Sequence, residues 1–227
     1  MDILRAFQSF VPATWLSFER ELATASQHVV AELSLQPWFK KTPRTRDYHR
    51  YVTHWISRHI RHDSVILETG CGIGQSFVVL SRAGYSRFIG VEKDAPTLEG
   101  CHRLCRQFGI SPQLHEGDGT RVEEIVSPSS ADVYLPLNWS YFAPEITPII
   151  NAAPKILKPG GTLILDIVRD DFKTADVKER ATYDRYPYKR DVDHVIAEIR
   201  SNGMKLIESE KRFGARSVLI ARLDKTV

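Results

Sequence analysis

The stretch Val65-Ile66-Leu67-Glu68-Thr69-Gly70-Cys71-Gly72-Ile73-Gly74 decides the architecture. Three apolar residues run into an acid and then into glycines at alternate positions, the pattern of a buried parallel strand ending in a tight loop at a helix N-terminus. Glycines suit such a loop because a Cβ would block close approach of the backbone to a ligand, and because positive φ values cost glycine little. The helix expected from Gln75 to about Ala83 would open with unpaired N–H groups. This geometry cradles a nucleotide.

Downstream of Val65 the chain alternates strand and helix, the signal for a parallel sheet with helices on both faces. The second strand spans Arg87 to Glu92, and Asp94 with Pro96 predicts a capped helix that stops at Gly109. A short third strand, about Pro112 to His115, leads to Glu116-Gly117-Asp118-Gly119-Thr120. The fourth, Ala131 to Leu135, opens into Pro136-Leu137-Asn138-Trp139-Ser140-Tyr141-Phe142. A helix from about Pro144 to Leu157 and the stop Lys158-Pro159-Gly160-Gly161 precede a fifth strand, Thr162 to Val168. The chain closes with a helix near Asp191 to Ser201 and two strands joined at Gly214.

Upstream, Trp15, Phe18, Leu22, Ala25, Val29 and Leu33 recur at three- and four-residue steps, predicting one amphipathic helix from about Ala13 to Leu35. A second, from about Arg46 to Arg61, carries His49, His54 and His59, with His62 just beyond. These histidines read either as a base or substrate ligand over the pocket or as part of a solvated basic helix face, with His49 and His54 preferred for the first role. The expected organisation is an N-terminal helical extension, 1–62, and one compact unit, 63–227.

Hydrophobic residues make up 42% and charged residues 26%, ordinary for a soluble globular chain. A net charge of +3 is too small to argue for a nucleic acid or a membrane surface as partner. The three cysteines, Cys71, Cys101 and Cys105, make no disulfide framework, which fits a reducing cytoplasm. Cys101 and Cys105 stand one helical turn apart but lack a second Cys/His pair at ligand spacing, so core thiols are expected and no metal. No secretory leader and no apolar run long enough to span a membrane are visible.

Spacing separates the nucleotides. The dinucleotide pattern G-x-G-x-x-G/A would want a small residue where Gln75 stands. E-x-G-x-G-x-G, with Glu68, Gly70, Gly72 and Gly74 in place, resembles the first motif of class I S-adenosylmethionine (SAM) dependent methyltransferases. Glu92, 18 residues after Gly74, matches the family's ribose-binding acid. Asp118 resembles the residue that holds the adenine amine, with a helix cap as its other reading. Lys158 to Gly161 matches the turn before the family's fifth strand, and the closing strand pair resembles its β-hairpin. The resemblance covers about residues 46 to 223. It implies a Rossmann-like α/β sheet of seven strands, one of them antiparallel, with helices on both faces. It also implies SAM as cofactor and S-adenosylhomocysteine as product. The cofactor contacts it implies are Glu68, Gly70, Cys71, Gly72, Gly74, Glu92, Lys93, Gly117, Asp118, Gly119, Leu137 and Asn138.

The acceptor is less legible. In an open α/β sheet the ligand lies beyond the carboxyl ends of the strands, so Asn138 to Phe142 should face the transferable methyl. The Asp/Asn-Pro-Pro-aromatic tetrad of base-modifying amino-methyltransferases, the Pro-Cys nucleophile of 5-methylcytosine enzymes and the magnesium-binding Asp of catechol-type enzymes are all absent. Asn138, Tyr141, His49 and His54 remain as catalytic candidates. Trp139, with Tyr183, Tyr186 and Tyr188 of the polar stretch 169–190, would form a substrate lid, or that stretch is a surface excursion. A small-molecule O or N acceptor is the leading expectation. RNA or protein as acceptor, and a partner protein that binds SAM without catalysis, are the alternatives.

Overall fold

The computed structural model describes residues 13–36, 56–137, 140–212 and 216–224. Its centre is a seven-stranded sheet in the order β3-β2-β1-β4-β5-β7-β6. The strands are β1 (Val65–Thr69), β2 (Arg87–Glu92), β3 (Gln113–Glu116), β4 (Ala131–Leu135), β5 (Leu157–Val168), β6 (Met204–Arg212) and β7 (Arg216–Leu223). β1 to β5 pair in parallel, and β7 runs antiparallel to both of its neighbours, β5 and β6. The expected sheet and its single reversed strand are therefore present.

The helices are α1 (Ala13–Glu32), α2 (Gln75–Arg82), α3 (Ala95–Gln107), α4 (Val122–Ile125), α5 (Thr147–Ile156), α6 (Val177–Asp184) and α7 (Val192–Ser201). They cover both faces. On one face Ile66, Val133, Leu135, Ile164, Val218 and Ile220 pack with Phe77 of α2 and with Cys101 and Leu104 of α3. On the other, Leu67, Tyr134, Leu163, Leu165 and Leu219 pack with Ile149 and Ile150 of α5 and Val195 of α7. Alternation along β1 and β5 sends successive side chains to opposite faces, and both faces are apolar because helices cover both.

α1 is built into the first of these clusters: Phe18, Leu22 and Val29 of its apolar stripe, and Val30 beside them, are all buried there. The helix stops at Glu32, short of the expected Leu35, because Ser34 adopts a left-handed backbone (φ 51°) that cannot continue it. Of the second N-terminal helix only residues 56–61 are described, and it is helical over 56–59, ending short of the expected Arg61.

Two boundaries differ from expectation on the sheet itself. β3 is Gln113–Glu116, shifted by a residue so that Glu116 stands beside Glu92. β5 begins at Leu157, not Thr162: Leu157, 1% exposed, pairs with Ala131, and Thr162 pairs with Val133. Lys158 to Gly161 is thus a bulge inside the strand, with Gly160 at φ 79°, and not a turn before it. Asp132 pins this end of the sheet by accepting the Val65 N–H (2.7 Å) and the Lys158 ammonium (2.8 Å).

Candidate cofactor site at the carboxyl edge

The register of β1 with β2 places the glycine loop beside the end of β2. Gly70 and Cys71 both donate their N–H to Val91 O (2.8 and 3.3 Å), and Gly74 N–H returns to Cys71 O (2.9 Å). Gly70, Gly72 and Gly74 all have positive φ, at 65°, 56° and 76°. Gly74 is the N-cap of α2 and has no side chain to fill that role, so the first-turn N–H groups keep no side-chain partner. Its need for glycine is also steric: a Cβ there would lie 2.6 Å from Cys101 Sγ and 3.0 Å from Cys105 Sγ.

All three cysteines are free and buried against this loop. Cys71 Sγ lies where a Cβ on Gly90 would reach it at 2.9 Å. Its thiol faces the core, so Cys71 can offer a ligand only its backbone.

Glu92 holds the loop to the second strand. One carboxylate oxygen accepts the Gly72 N–H (3.1 Å), and the other accepts the N–H groups of Lys93 (2.9 Å) and Asp94 (3.2 Å). A carboxylate has about four acceptor positions, so one is left for a ligand hydroxyl, and a second hydroxyl must displace a backbone donor. Asp94 caps α3 by accepting from Thr97 N (3.0 Å), with Pro96 in the first turn as expected.

Gly117 follows directly, its N–H on Glu92 O (3.0 Å), and a Cβ on it would strike Ile125 at 2.5 Å. Asp118 then caps the short 3-10 turn Gly119–Arg121, accepting from Thr120 N and Oγ1, both at 2.9 Å through one carboxylate oxygen. The Thr120 N–H bond, helped by Lys93 and Arg121, holds this carboxyl below its ordinary range despite partial burial.

Glu68 is the buried member of the set, 3% exposed, with the Ser76 hydroxyl of α2 donating to it. Burial pushes its carboxyl up to about 8, against the Ser76 bond, and the nearby Asp166 and Glu92 charges push the same way. Ser76 and Asp166 were not anticipated. The signal for Asp166 was an acid inside an apolar strand, Ile164-Leu165-Asp166-Ile167, which is fully buried and has Ser140 hydroxyl-bonded to its carbonyl and 3.4 Å from Oδ1. Gln75 of α2 also reaches back to Ser26 of α1 (2.9 Å), tying the N-terminal helix to the residue next to the loop.

On the other half of the edge, Leu137 is 1% exposed and joins the apolar cluster beneath. Asn138, Trp139, His49 and His54 lie outside the described residues. Tyr141 falls in the turn Ser140–Phe142, but its side chain lies outside them too. Phe142 is 58% exposed at this edge.

The stretch 169–190 is an ordered insertion. Its two ends pair, with Arg190 N–H on Val168 O (2.8 Å) and Asp170 N–H on Arg190 O (3.1 Å). α6 inside it is capped by Asp176, which accepts from the N–H groups of Lys178 and Glu179, both at 2.8 Å. Tyr183 packs with Val168, Phe172 and Tyr186, donates its hydroxyl to Asp170 O (3.0 Å) and lies under the Lys189 ammonium (4.6 Å from the ring centre). Arg190 stacks over Tyr188 (5.5 Å) and donates to Ala143 O (2.7 Å) and Pro144 O (2.8 Å), fastening the insertion to the loop after β4. Of the three tyrosines, Tyr183 is the most enclosed, and Tyr186 and Tyr188 are half-buried.

A sheet of this order with β7 reversed, an alternating-glycine loop after β1 and acids at or just after the ends of β2 and β3, defines the class I methyltransferase fold. Residues 66–161, from β1 to the bulge in β5, match the model of a family described as a methyltransferase domain. No curated protein matches the chain. Among solved structures, magnesium protoporphyrin IX methyltransferase of Synechocystis, bound to S-adenosylhomocysteine, is 16% identical with TM-score 0.64, covering 82% of this chain and 87% of that one. A Bordetella parapertussis protein described as a possible exported protein is 18% identical with TM-score 0.66, covering 83% and 72%. The [4+2]-cyclase SpnF is 15% identical with TM-score 0.63, covering 77% and 81%. At such identities these neighbours establish the fold. The chain therefore has the fold of class I SAM-dependent methyltransferases, as the motif spacing implied, and its residues 66–161 are similar to a methyltransferase domain. No helix among the described residues is long and apolar enough to cross a membrane.

Proposed function

We propose that the protein is a methyltransferase that binds SAM along Glu68 to Gly74, Glu92 and Asp118 and methylates an O or N nucleophile of a small molecule. The observation that supports this most is the loop itself. Three left-handed glycines and a cap without a side chain leave the first-turn N–H groups of α2 without a side-chain partner, while Glu92 and Asp118 stand at the next two strand ends. These residues fit a cofactor with a carboxylate, a ribose and an adenine. The first-turn N–H groups of α2 suit the first, the remaining acceptor position of Glu92 the second, and Asp118 the third. The neighbours Cys71, Lys93, Gly117, Gly119 and Leu137 would complete the contact surface, mostly through backbone.

The cofactor would supply an activated methyl on a sulfonium. Transfer is then a one-step displacement, in which the chain must align the nucleophile and exclude water. We assign that alignment to Asn138 and Tyr141 after β4, with His49 or His54 as the base where one is needed. Trp139, Tyr183, Tyr186 and Tyr188 would close over the acceptor. Tyr183 acts by ordering the insertion, since its hydroxyl is already engaged with Asp170. Segment 1–62 would complete the enclosure, and the cytoplasm is the compartment proposed.

Calorimetric titration with SAM tests the site, and Glu92→Ala should abolish binding while circular dichroism stays that of the parent. Unaltered affinity in that variant would remove the assignment. Screening acceptors with methyl-labelled SAM tests the reaction. The other reading is a partner protein that binds SAM without catalysis; SAM binding without label transfer to any acceptor would support it.

A further inference from the structure

We propose that Glu68 is protonated in the cofactor-free protein and surrenders that proton when SAM binds, so that cofactor binding at neutral pH is coupled to release of about one proton. This rests on the assignment of the glycine loop to SAM. Glu68 is the penultimate residue of β1, immediately before the loop, and is 3% exposed.

The groups that face it come from every neighbouring element. α2 contributes the Ser76 hydroxyl, the end of β2 contributes Glu92, and β5 contributes Asp166, itself fully buried. The loop contributes the buried Cys71. β4 contributes the apolar Leu135 in register with Glu68, and the Tyr134 hydroxyl turns instead to Thr69 (3.3 Å) on the opposite face. Among the described residues no ion pair includes Glu68 or Glu92. Ionising Glu68 would therefore put a negative charge in a buried place that already holds the carboxyl groups of Glu92 and Asp166. Holding the proton avoids that.

SAM brings a sulfonium and an ammonium to this edge. A cation beside a buried carboxylate favours its charged form, so the O–H bond of Glu68 breaks and the proton passes to the buffer. The carboxyl's ordinary value is already displaced upward to about 8 by burial, and by Asp166 and Glu92 in addition. The sign follows. The free protein's value is the higher one and the complex's the lower, so affinity rises with pH between them and is level above about 8. The steepest slope is about tenfold per pH unit.

The experiment titrates the full chain with SAM at pH 7 in buffers of different ionisation enthalpy, and again at pH 6 and pH 8. Glu68→Gln, which keeps a partner for Ser76 and carries no charge, is measured alongside. The parent should release about one proton more than the variant and, relative to it, bind up to about tenfold more weakly at pH 6 than at pH 7, the variant reporting the titration of the cofactor's own α-amino group. Equal release in both proteins, or none in the parent, overturns the coupling and leaves the cofactor reading standing. Absence of SAM binding in the parent overturns both. Should Glu68→Gln not fold, infrared difference spectra of the parent decide. Loss of a protonated-carboxyl band on adding SAM supports the coupling, and absence of that band before addition overturns it.

Discussion

The carboxyl edge of the sheet has two halves made of different material. At the ends of β1, β2 and β3 the surface is backbone: three glycines with positive φ, carbonyl-bound N–H groups, and two acids whose oxygens are held by main-chain donors. At the ends of β4 and β5 it is side chains, with an exposed Phe142, a packed Tyr183 and an arginine that fastens one loop to another. Backbone surfaces tolerate little change, because a Cβ or an altered φ moves every donor at once. Side-chain surfaces can be re-cut residue by residue. The difference matches the division proposed between a fixed cofactor and a variable acceptor.

Breaking the cofactor half should give the largest effects. Glu92→Ala removes the acceptor of three backbone donors together with the proposed ribose partner. SAM affinity should fall by at least about a hundredfold in calorimetry, the size expected for two charge-assisted hydrogen bonds. Gly74→Ala should cost about 2–4 kcal/mol in denaturant unfolding, from an unfavourable φ of 76° and from contact with Cys101 at 2.6 Å. Pairing it with Cys101→Ala should recover the contact share and leave the φ share, a split that a double-mutant cycle measures.

An effect of comparable size separates the halves by pH. Glu68 has an unfolded value near 4.5 and a folded value of about 8, so its folded-state value is raised. Its contribution to stability is fully present below the first and is lost as pH rises through the second, by at most about 1.4 kcal/mol per unit. Cofactor-free parent protein should lose denaturant stability from pH 5 to pH 8 more steeply than Glu68→Gln. Equal slopes would show that Glu68 ionises freely. Smallest is Tyr183→Phe, which removes one hydroxyl from Asp170 O and should cost about 1 kcal/mol with no change in SAM affinity. A large loss of SAM affinity there would erase the proposed independence of the two halves.

Much of the half proposed for the cofactor was readable from residues in order. The strand before Gly70, the alternating glycines, Glu92 at the end of β2 and the Asp94 cap are each encoded within a few neighbouring positions. Asp118 was legible as both a site residue and a cap, and the cap is what the structure forms. The acceptor half was legible only as composition. Three tyrosines in a polar stretch suggested a lid, but nothing local said that Tyr183 would be enclosed or that Arg190 would reach Ala143 and Pro144. The start of β5 was misplaced because the pairing of Leu157 with Ala131 depends on a strand some 25 residues away.

By itself, then, the sequence determined the βα alternation, the glycine loop and the acids that follow the first three strands, because hydrophobic period, φ preference and capping act over a few residues. Only the tertiary structure decided that Cys71, Cys101 and Cys105 back the loop, that Ser26 reaches Gln75, and that Asp166 stands near Glu68. Those neighbours come from segments tens of residues apart, and they meet because the sheet order and the two packed faces bring them to one edge.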